Sequence, residues 1–363
     1  MNSKEYSMIP DFLIELEQIN YLEVLQILNI VVIGYASNKA IDTYTLHKQQ
    51  RPKNIKKVNI SPELKVEYND VDINRIVNIK FGESLREFSE VMIKNFSKED
   101  LINFYNNINT LKISHSNFKL VNVILKYNIE GVYRSRKNKI TIDENDLSAP
   151  IYHELLHMAS SVYKDGIKYS GFHQTYLKLG ITNLGNAINE GYTELLCRRY
   201  FNSDTVASNS YEYEKDIAES LEQIIGKEKM ESLYLNANLF GLIQEMKQIS
   251  SEQEVMKFIS NTDFVFRHLD NKKVKLIEKE MLTKALNNIN KFLIKSYSNK
   301  LLQQFHQNWI TSEQLTTQLA QYVSSLTSVL TIGKRSYKIL SEGDLTECFD
   351  SVFGISNITF KIK

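Results

Sequence analysis

The segment His153-Glu154-Leu155-Leu156-His157 sets two imidazoles four residues apart, with a carboxylate directly after the first. On a helix, residues four apart share a face, so both rings can offer a nitrogen to one metal ion. Glu154 lies beside that face, where its carboxylate can reach a water held by the ion without being a ligand. Two fixed nitrogens, an open position and an adjoining base are what a zinc hydrolase needs. The flanking residues favour a helix. Ser148 suits the N-cap and Pro150 the first turn, and no further glycine or proline follows until Gly166.

Two imidazoles and a water leave a tetrahedral site one protein ligand short. Downstream, Ile188, Tyr192, Leu195, Leu196 and Tyr200 recur at a helical period. Glu190 and Glu194 are four apart and share a face of that second helix. Two carboxylates on a partly buried face repel each other and resist desolvation unless a positive group lies between or opposite them. A Zn²⁺ already held by two His is such a group. One carboxylate would ligate the ion, and the other would accept the N–H of a ligand imidazole and fix its tautomer. Spacing alone leaves open which Glu does which.

His-Glu-x-x-His followed by Asn189-Glu190-x-x-x-Glu194 resembles the gluzincins, the zincin metallopeptidases whose third zinc ligand is a helix glutamate. Asn189-Glu190-Gly191-Tyr192 is similar to the Asn-Glu-Gly-Phe of zinc aminopeptidases. The acid four residues on resembles the Asn-Glu-x-x-Ser-Asp of thermolysin-like enzymes. The resemblance spans about residues 130–200. It implies His153, His157 and Glu190 as ligands of one Zn²⁺, Glu154 as general base, and Glu194 as the residue that orients a ligand imidazole. It also implies a zincin core, in which a small antiparallel sheet leads into the first site helix and an edge strand pairs with extended substrate. Lys139–Asp143 is the candidate for that edge strand. The metzincin pattern is absent, since Ser160 and Tyr163 stand where Gly and His are required.

The elements around these motifs follow from periodicity. Residues 1–50 read as mostly helical, with the apolar run Leu25–Ala36 as core, and a strand is expected at Leu64–Tyr68. Helices are expected over Glu83–Phe96 and from Ser97-Lys-Glu-Asp100, a capping-box-like start, to about Asn109. Val121, Val123, Leu125 and Tyr127 alternate as in a strand. Gly131–Ser135 and Lys139–Asp143 form two more around a turn at Arg136–Asn138. Ile167–Gly180 reads as a hairpin or loop over the cleft. Its His173 and Tyr176 could donate to a developing oxyanion; Tyr192 is a further candidate contact, in a position that equally suits packing. Beyond a polar loop at 202–210, two helices broken near Gly226 span Glu212 to about Ile249. Helical segments follow at Glu252–Ile259, Lys273–Ser296, Leu301–Asn308 and Ser312–Ile332.

The expected fold is α+β and predominantly helical. It comprises a mostly helical region (1–115), a zincin catalytic core with a small antiparallel sheet (116–205) and an all-α C-terminal lobe (206–363). With 42% hydrophobic and 24% charged residues in 363, the chain has an ordinary globular composition. A net charge of +1 gives no case for a nucleic-acid partner. Cys197 and Cys348 make no disulfide framework, and His268 and His306 stand alone. The run Leu25–Ala36 is too short to span a bilayer, and the first residues lack a secretion signal. A soluble cytoplasmic protein is the expectation, with signal-independent export as the alternative. The expected activity is zinc-dependent hydrolysis of a peptide or an extended protein segment. A zinc-stabilised pseudoenzyme and a metal-free helical interaction scaffold are the competing readings.

Overall fold

Apolar residues at three- and four-residue spacing build ten helices among the described residues, and short alternating or β-branched stretches supply nine strands. The computed structural model describes residues 82–116, 131–143, 151–164, 167–176, 182–201, 211–269, 276–326, 329–332 and 335–338. The helices expected in residues 1–50, the strands at Leu64–Tyr68 and Val121–Tyr127, Ser148, Pro150 and the polar loop at 202–210 lie outside them. The fold is α+β and predominantly helical.

Helices α1 (Gly82–Asn95) and α2 (Ile102–Ile108) come first. Ser97 and Asp100 bond reciprocally ahead of α2, with Asp100 N donating to Ser97 Oγ at 3.2 Å and Ser97 Oγ to Asp100 Oδ2 at 2.6 Å. Strands β1 (Lys112–Ser116), β2 (Gly131–Arg134) and β3 (Lys139–Asp143) then form a sheet of order β1-β3-β2. The turn between β2 and β3 closes through Asn138 at φ 43°, a conformation that Asn tolerates better than most residues. The sheet departs from expectation in two ways. Pairing of β1 with β3 is parallel, so the sheet is mixed. Lys139–Asp143 lies in its centre, with neighbours on both sides, and cannot be an edge strand. Ile140 and Ile142 of that strand are fully buried.

Helix α3 (Ile151–Ala159) carries the first motif. It packs against α1, α2, β2 and β3, and all of its residues but Tyr152 are buried. Among its C-terminal carbonyls, which a helix leaves unsatisfied, Met158 O is met from α2: Asn107 Nδ2 donates to it at 2.9 Å and to Ser161 O, just past the helix, at 2.7 Å. A second sheet follows, of order β4 (Ser161–Lys164), β5 (Ile167–Ser170), β6 (His173–Tyr176) and β7 (Thr182–Leu184), antiparallel throughout. The hairpin expected over the cleft is β5–β6. It turns at Gly171, where φ is 52° and a Cβ would stand 2.3 Å from Asn189 Oδ1.

The second motif lies on α4 (Asn186–Phe201). It is followed by α5 (Glu212–Ile225), α6 (Lys227–Leu235), α7 (Leu239–Lys247), α8 (Glu252–Leu269), α9 (Leu276–His306) and α10 (Ser312–Ser325). Close packing of α4 on α5 needs Gly191, because a Cβ there would meet Glu214 O at 2.1 Å. The expected break at Gly226 is present. A second break falls at Asn236–Asn238, with Ala237 at φ 53°. Helix α9 is continuous where two helices were expected. The C-terminal region is not all-α: Ser312–Ile332 divides into α10 and β8 (Val329–Ile332), which pairs antiparallel with β9 (Arg335–Lys338). One hydrophobic cluster runs from Leu85 to Leu326, through the described parts of all three regions expected from the sequence. None of the described helices is long and apolar enough to cross a membrane.

Candidate metal centre

Helix α4 reaches α3 because its N-terminus is anchored from a distant helix. Asp263 of α8 accepts from Gly185 N at 2.8 Å and Ala187 N at 3.0 Å, covering N–H groups that the first turn cannot satisfy. Beneath α4, Phe172, Tyr192 and Tyr234 form a triangle with centroids 5.4–5.6 Å apart, each such pair being worth about 0.5–1.5 kcal/mol beyond its buried area. Thr193 Oγ1 donates to Asn189 O at 2.7 Å, which leaves its lone pairs to accept from Tyr234 Oη at 2.6 Å. These contacts fix the rotation of α4, and with it the direction of Glu190 and Glu194.

The two helices bring three ligand atoms together. His153 Nε2 and His157 Nε2 lie 3.1 Å apart, and each is 3.2 Å from Glu190 Oε2. Both rings are buried, and the Glu190 side chain is 16% exposed. Among the described residues this is the one group of three His, Cys, Asp or Glu side chains arranged to hold a metal ion. The donors fit zinc. Tetrahedral bonds of 2.0–2.1 Å would set ligand atoms roughly 3.3–3.4 Å apart, close to the triangle observed, and two imidazoles with one carboxylate are ligands that zinc accepts.

Electrostatics give the same picture. Burial opposes a charge on His153, yet its hydrogen bonds to Glu190 and Glu194 push its pKa up to about 10. Burial likewise opposes ionisation of Glu190, but His157 and His153 outweigh it and hold the carboxyl well below the usual range. A positive charge among these three atoms is therefore favoured. A shared proton is one way to supply it, and a divalent ion is another.

Comparison with protein-family models, with curated proteins and with solved structures finds no match to this chain. The site is read from its own geometry.

Glu194 is almost fully buried, its Oε2 3.5 Å from His153 Nδ1. That contact favours a proton on Nδ1 and leaves the Nε2 lone pair for the centre. Arg198 Nε donates to Glu194 Oε1 at 2.7 Å and is itself clamped by Glu212. Burial works against Glu194's charge, but His153 and Arg198 lower its pKa on balance. Glu154 is buried beside the first residue of β2; a Cβ on Gly131 would stand 3.0 Å from Glu154 Cγ. Its charge is felt at His153 and at Lys168.

The other expected residues divide. His173 lies within the fields of Glu190 and His157. Burial, and then Lys168, depress its pKa to about 3, so its ring is neutral. Thr175 Oγ1 donates to Asn183 Oδ1 at 3.1 Å and so accepts from His173 Nε2 at 3.0 Å. Tyr176 ends β6, and its side chain is outside the described ones. Tyr192 does not join the centre: its ring is fully buried and its hydroxyl donates to Glu222 Oε2 at 2.8 Å. Glu222 is also held by Arg199, which binds Glu231 of α6 as well.

Sequence reasoning missed several residues. Lys168 lies within the fields of Glu190 and Glu154. Tyr211, at φ 67°, stacks its ring 5.6 Å from that of His153. Asn189 accepts from Phe172 N at 3.1 Å and donates to Glu190 Oε1 at 3.3 Å, tying the β5–β6 turn to Glu190. Arg198 alone carried a readable signal, its i,i+4 spacing from Glu194.

Proposed function

We propose that this protein is a zinc-dependent hydrolase of peptide bonds with a zincin-like core. The observation that carries the reading is the triangle of His153 Nε2, His157 Nε2 and Glu190 Oε2, with edges of 3.1–3.2 Å; Glu154, next to His153 in the chain, is buried and lies outside this group. His153, His157 and Glu190 would hold the ion. Zinc bound there would supply a Lewis acid that polarises a carbonyl and acidifies water near neutral pH. Glu154 takes the proton of the attacking water on its carboxylate and passes it to the departing nitrogen. Glu194 keeps the His153 ring oriented by accepting from Nδ1, and Arg198 keeps Glu194 ionised. An extended substrate adds along the edge of β2, the strand that passes Glu154, rather than along the central β3.

The test is Glu154→Gln. The amide has nearly the shape of the carboxylate but cannot take a proton, so metal content should stay near that of the wild type. Hydrolysis of a casein or mixed-peptide substrate should fall by at least about 100-fold, the lower end of what a positioned base contributes. Undiminished hydrolysis would remove Glu154 from the mechanism, and loss of the metal as well would make it a ligand.

A further inference from the structure

Helix α5 starts against its local preferences. An N-cap is usually a Ser, Thr, Asp or Asn in extended backbone, whose side chain accepts from the first turn. Here it is Tyr211, in the left-handed region at φ 67° and with no capping side-chain bond. Such backbone is unfavourable for a non-glycine residue and persists where the surroundings over-determine it. The surroundings of Tyr211 are aromatic. Its ring stacks on that of His153, with centroids 5.6 Å and planes 18° apart, and on that of Phe266 of α8, at 6.1 Å and 23°. His153 and the helix that anchors α4 are thus joined through Tyr211.

The next residue reaches the same imidazole by another route. Glu212 binds the Arg198 guanidinium, Arg198 Nε donates to Glu194 Oε1 at 2.7 Å, and Glu194 Oε2 lies 3.5 Å from His153 Nδ1. Tyr211 and Glu212 therefore act on the His153 ring in two places, one across its face and the other at Nδ1. The turn they begin is closed by Lys215 N donating to Tyr211 O at 2.8 Å, so the Lys215 amide reports whether Tyr211 is in place. Ordering a ring before an ion arrives lowers the cost of binding, and partners behind a ligand fix its orientation.

We propose that Tyr211 and Glu212 form a positioning clamp on His153, so that filling of the metal centre and ordering of the first turn of α5 are coupled. The inference rests on the zinc reading of the centre. Breaking a stacked ring pair changes an equilibrium about 2- to 12-fold, which sets the size of the effect. Coupling is reciprocal. If losing the clamp weakens zinc by that factor, saturating zinc must hold the clamped turn more firmly by about the same factor. A ring that packed equally well in the metal-free and the zinc-bound protein would move neither quantity.

The first measurement uses the wild type, metal-free and zinc-saturated. Hydrogen exchange resolved to single residues should show the Lys215 amide about 2- to 12-fold better protected with zinc. The Leu315 amide, which bonds Thr311 O at the start of α10, should not change. The second uses substitutions, read by chelator competition and by the visible spectrum of cobalt-loaded protein, which follows ligand geometry. Glycine adopts φ 67° freely, so Tyr211→Gly keeps the turn and removes the ring. It should bind zinc about 2- to 12-fold more weakly and show an altered cobalt spectrum. Tyr211→Phe keeps the ring and should match the wild type in both, while Glu212→Gln should lower zinc affinity by less than Tyr211→Gly. Lys215 exchange that ignores zinc, or a Tyr211→Gly variant with wild-type zinc affinity and cobalt spectrum, would overturn the clamp and leave the centre standing. If Tyr211→Gly does not fold, the wild-type exchange measurement decides. A wild type that takes up no zinc would remove the centre, and the clamp with it.

Discussion

Exchanging the two carboxylates of α4 one at a time is the sharpest probe of how the centre is divided. Glu190 Oε2 is 3.2 Å from both imidazole nitrogens, whereas the nearest oxygen of Glu194 is 3.5 Å from the far nitrogen of His153 only. Zinc bound by four ligands is held by about 10–16 kcal/mol at pH 7. Shared evenly, each ligand supplies about 2.5–4 kcal/mol, so Glu190→Ala should weaken zinc binding by roughly 60- to 700-fold. Removing an outer partner typically costs about 10- to 100-fold. Glu194→Ala should fall at the mild end of that range, because Arg198 retains Glu212 and is not left as an unpaired cation. Competition against a chromogenic chelator at constant pH measures both. If the Glu194 variant surrenders zinc at lower chelator concentration than the Glu190 variant, the assigned roles are reversed.

Other consequences reach the supporting structure. Gly191→Ala drives a methyl against Glu214 O, and overpacking of this kind costs about 1–3 kcal/mol; the urea midpoint should fall accordingly, and an unchanged midpoint would mean that α4 and α5 are not in contact there. Asp263 is held by burial at a pKa of about 6 against an ordinary 3.8, despite the N–H groups it accepts from. Its folded-state pKa is raised, so its contribution to stability is fully present below about pH 4 and is lost as the pH rises through 6. Relative to Asp263→Asn, the wild type should therefore lose up to about 3 kcal/mol between pH 4 and pH 7, read from denaturant curves at each pH; a pH-independent difference would contradict this. His173→Ala should leave metal affinity unchanged within a few-fold, since the ring bonds to Thr175 and not to a ligand. A large loss in the same chelator competition would place it among the ligands.

What could be read from the sequence is what local periodicity controls. The i,i+4 spacing of His153 and His157, and of Glu190 and Glu194, placed each pair on one helix face, and those faces do converge. The strand Lys139–Asp143 and the break at Gly226 follow equally local signals. Long-range pairing was not legible. Lys139–Asp143 became a central strand because Lys112–Ser116 pairs with it in parallel, and nothing in either segment encodes that partnership. No local signal links Lys168 of β5 to Glu190 and Glu154, whose fields reach it in the fold. Asp263 covers the start of α4 from 76 residues away. Helix α9 was divided at its weak helix formers near Ser296–Asn299, yet Ser296 and Ser298 are buried and packing carries the helix through them. At Val329–Ile332 the β-branched residues did signal a strand, but the preceding helical period was extended over them.

The claim that His153, His157 and Glu190 form a zinc centre is tested most directly by elemental analysis of protein purified without added metal or chelator. The account predicts close to one zinc per chain in the wild type and in Glu154→Gln, and nearly none in His153→Ala or His157→Ala while circular dichroism stays unchanged. A wild type that contains no metal and takes up none on titration with micromolar zinc would contradict it, as would tight zinc retention in both His variants.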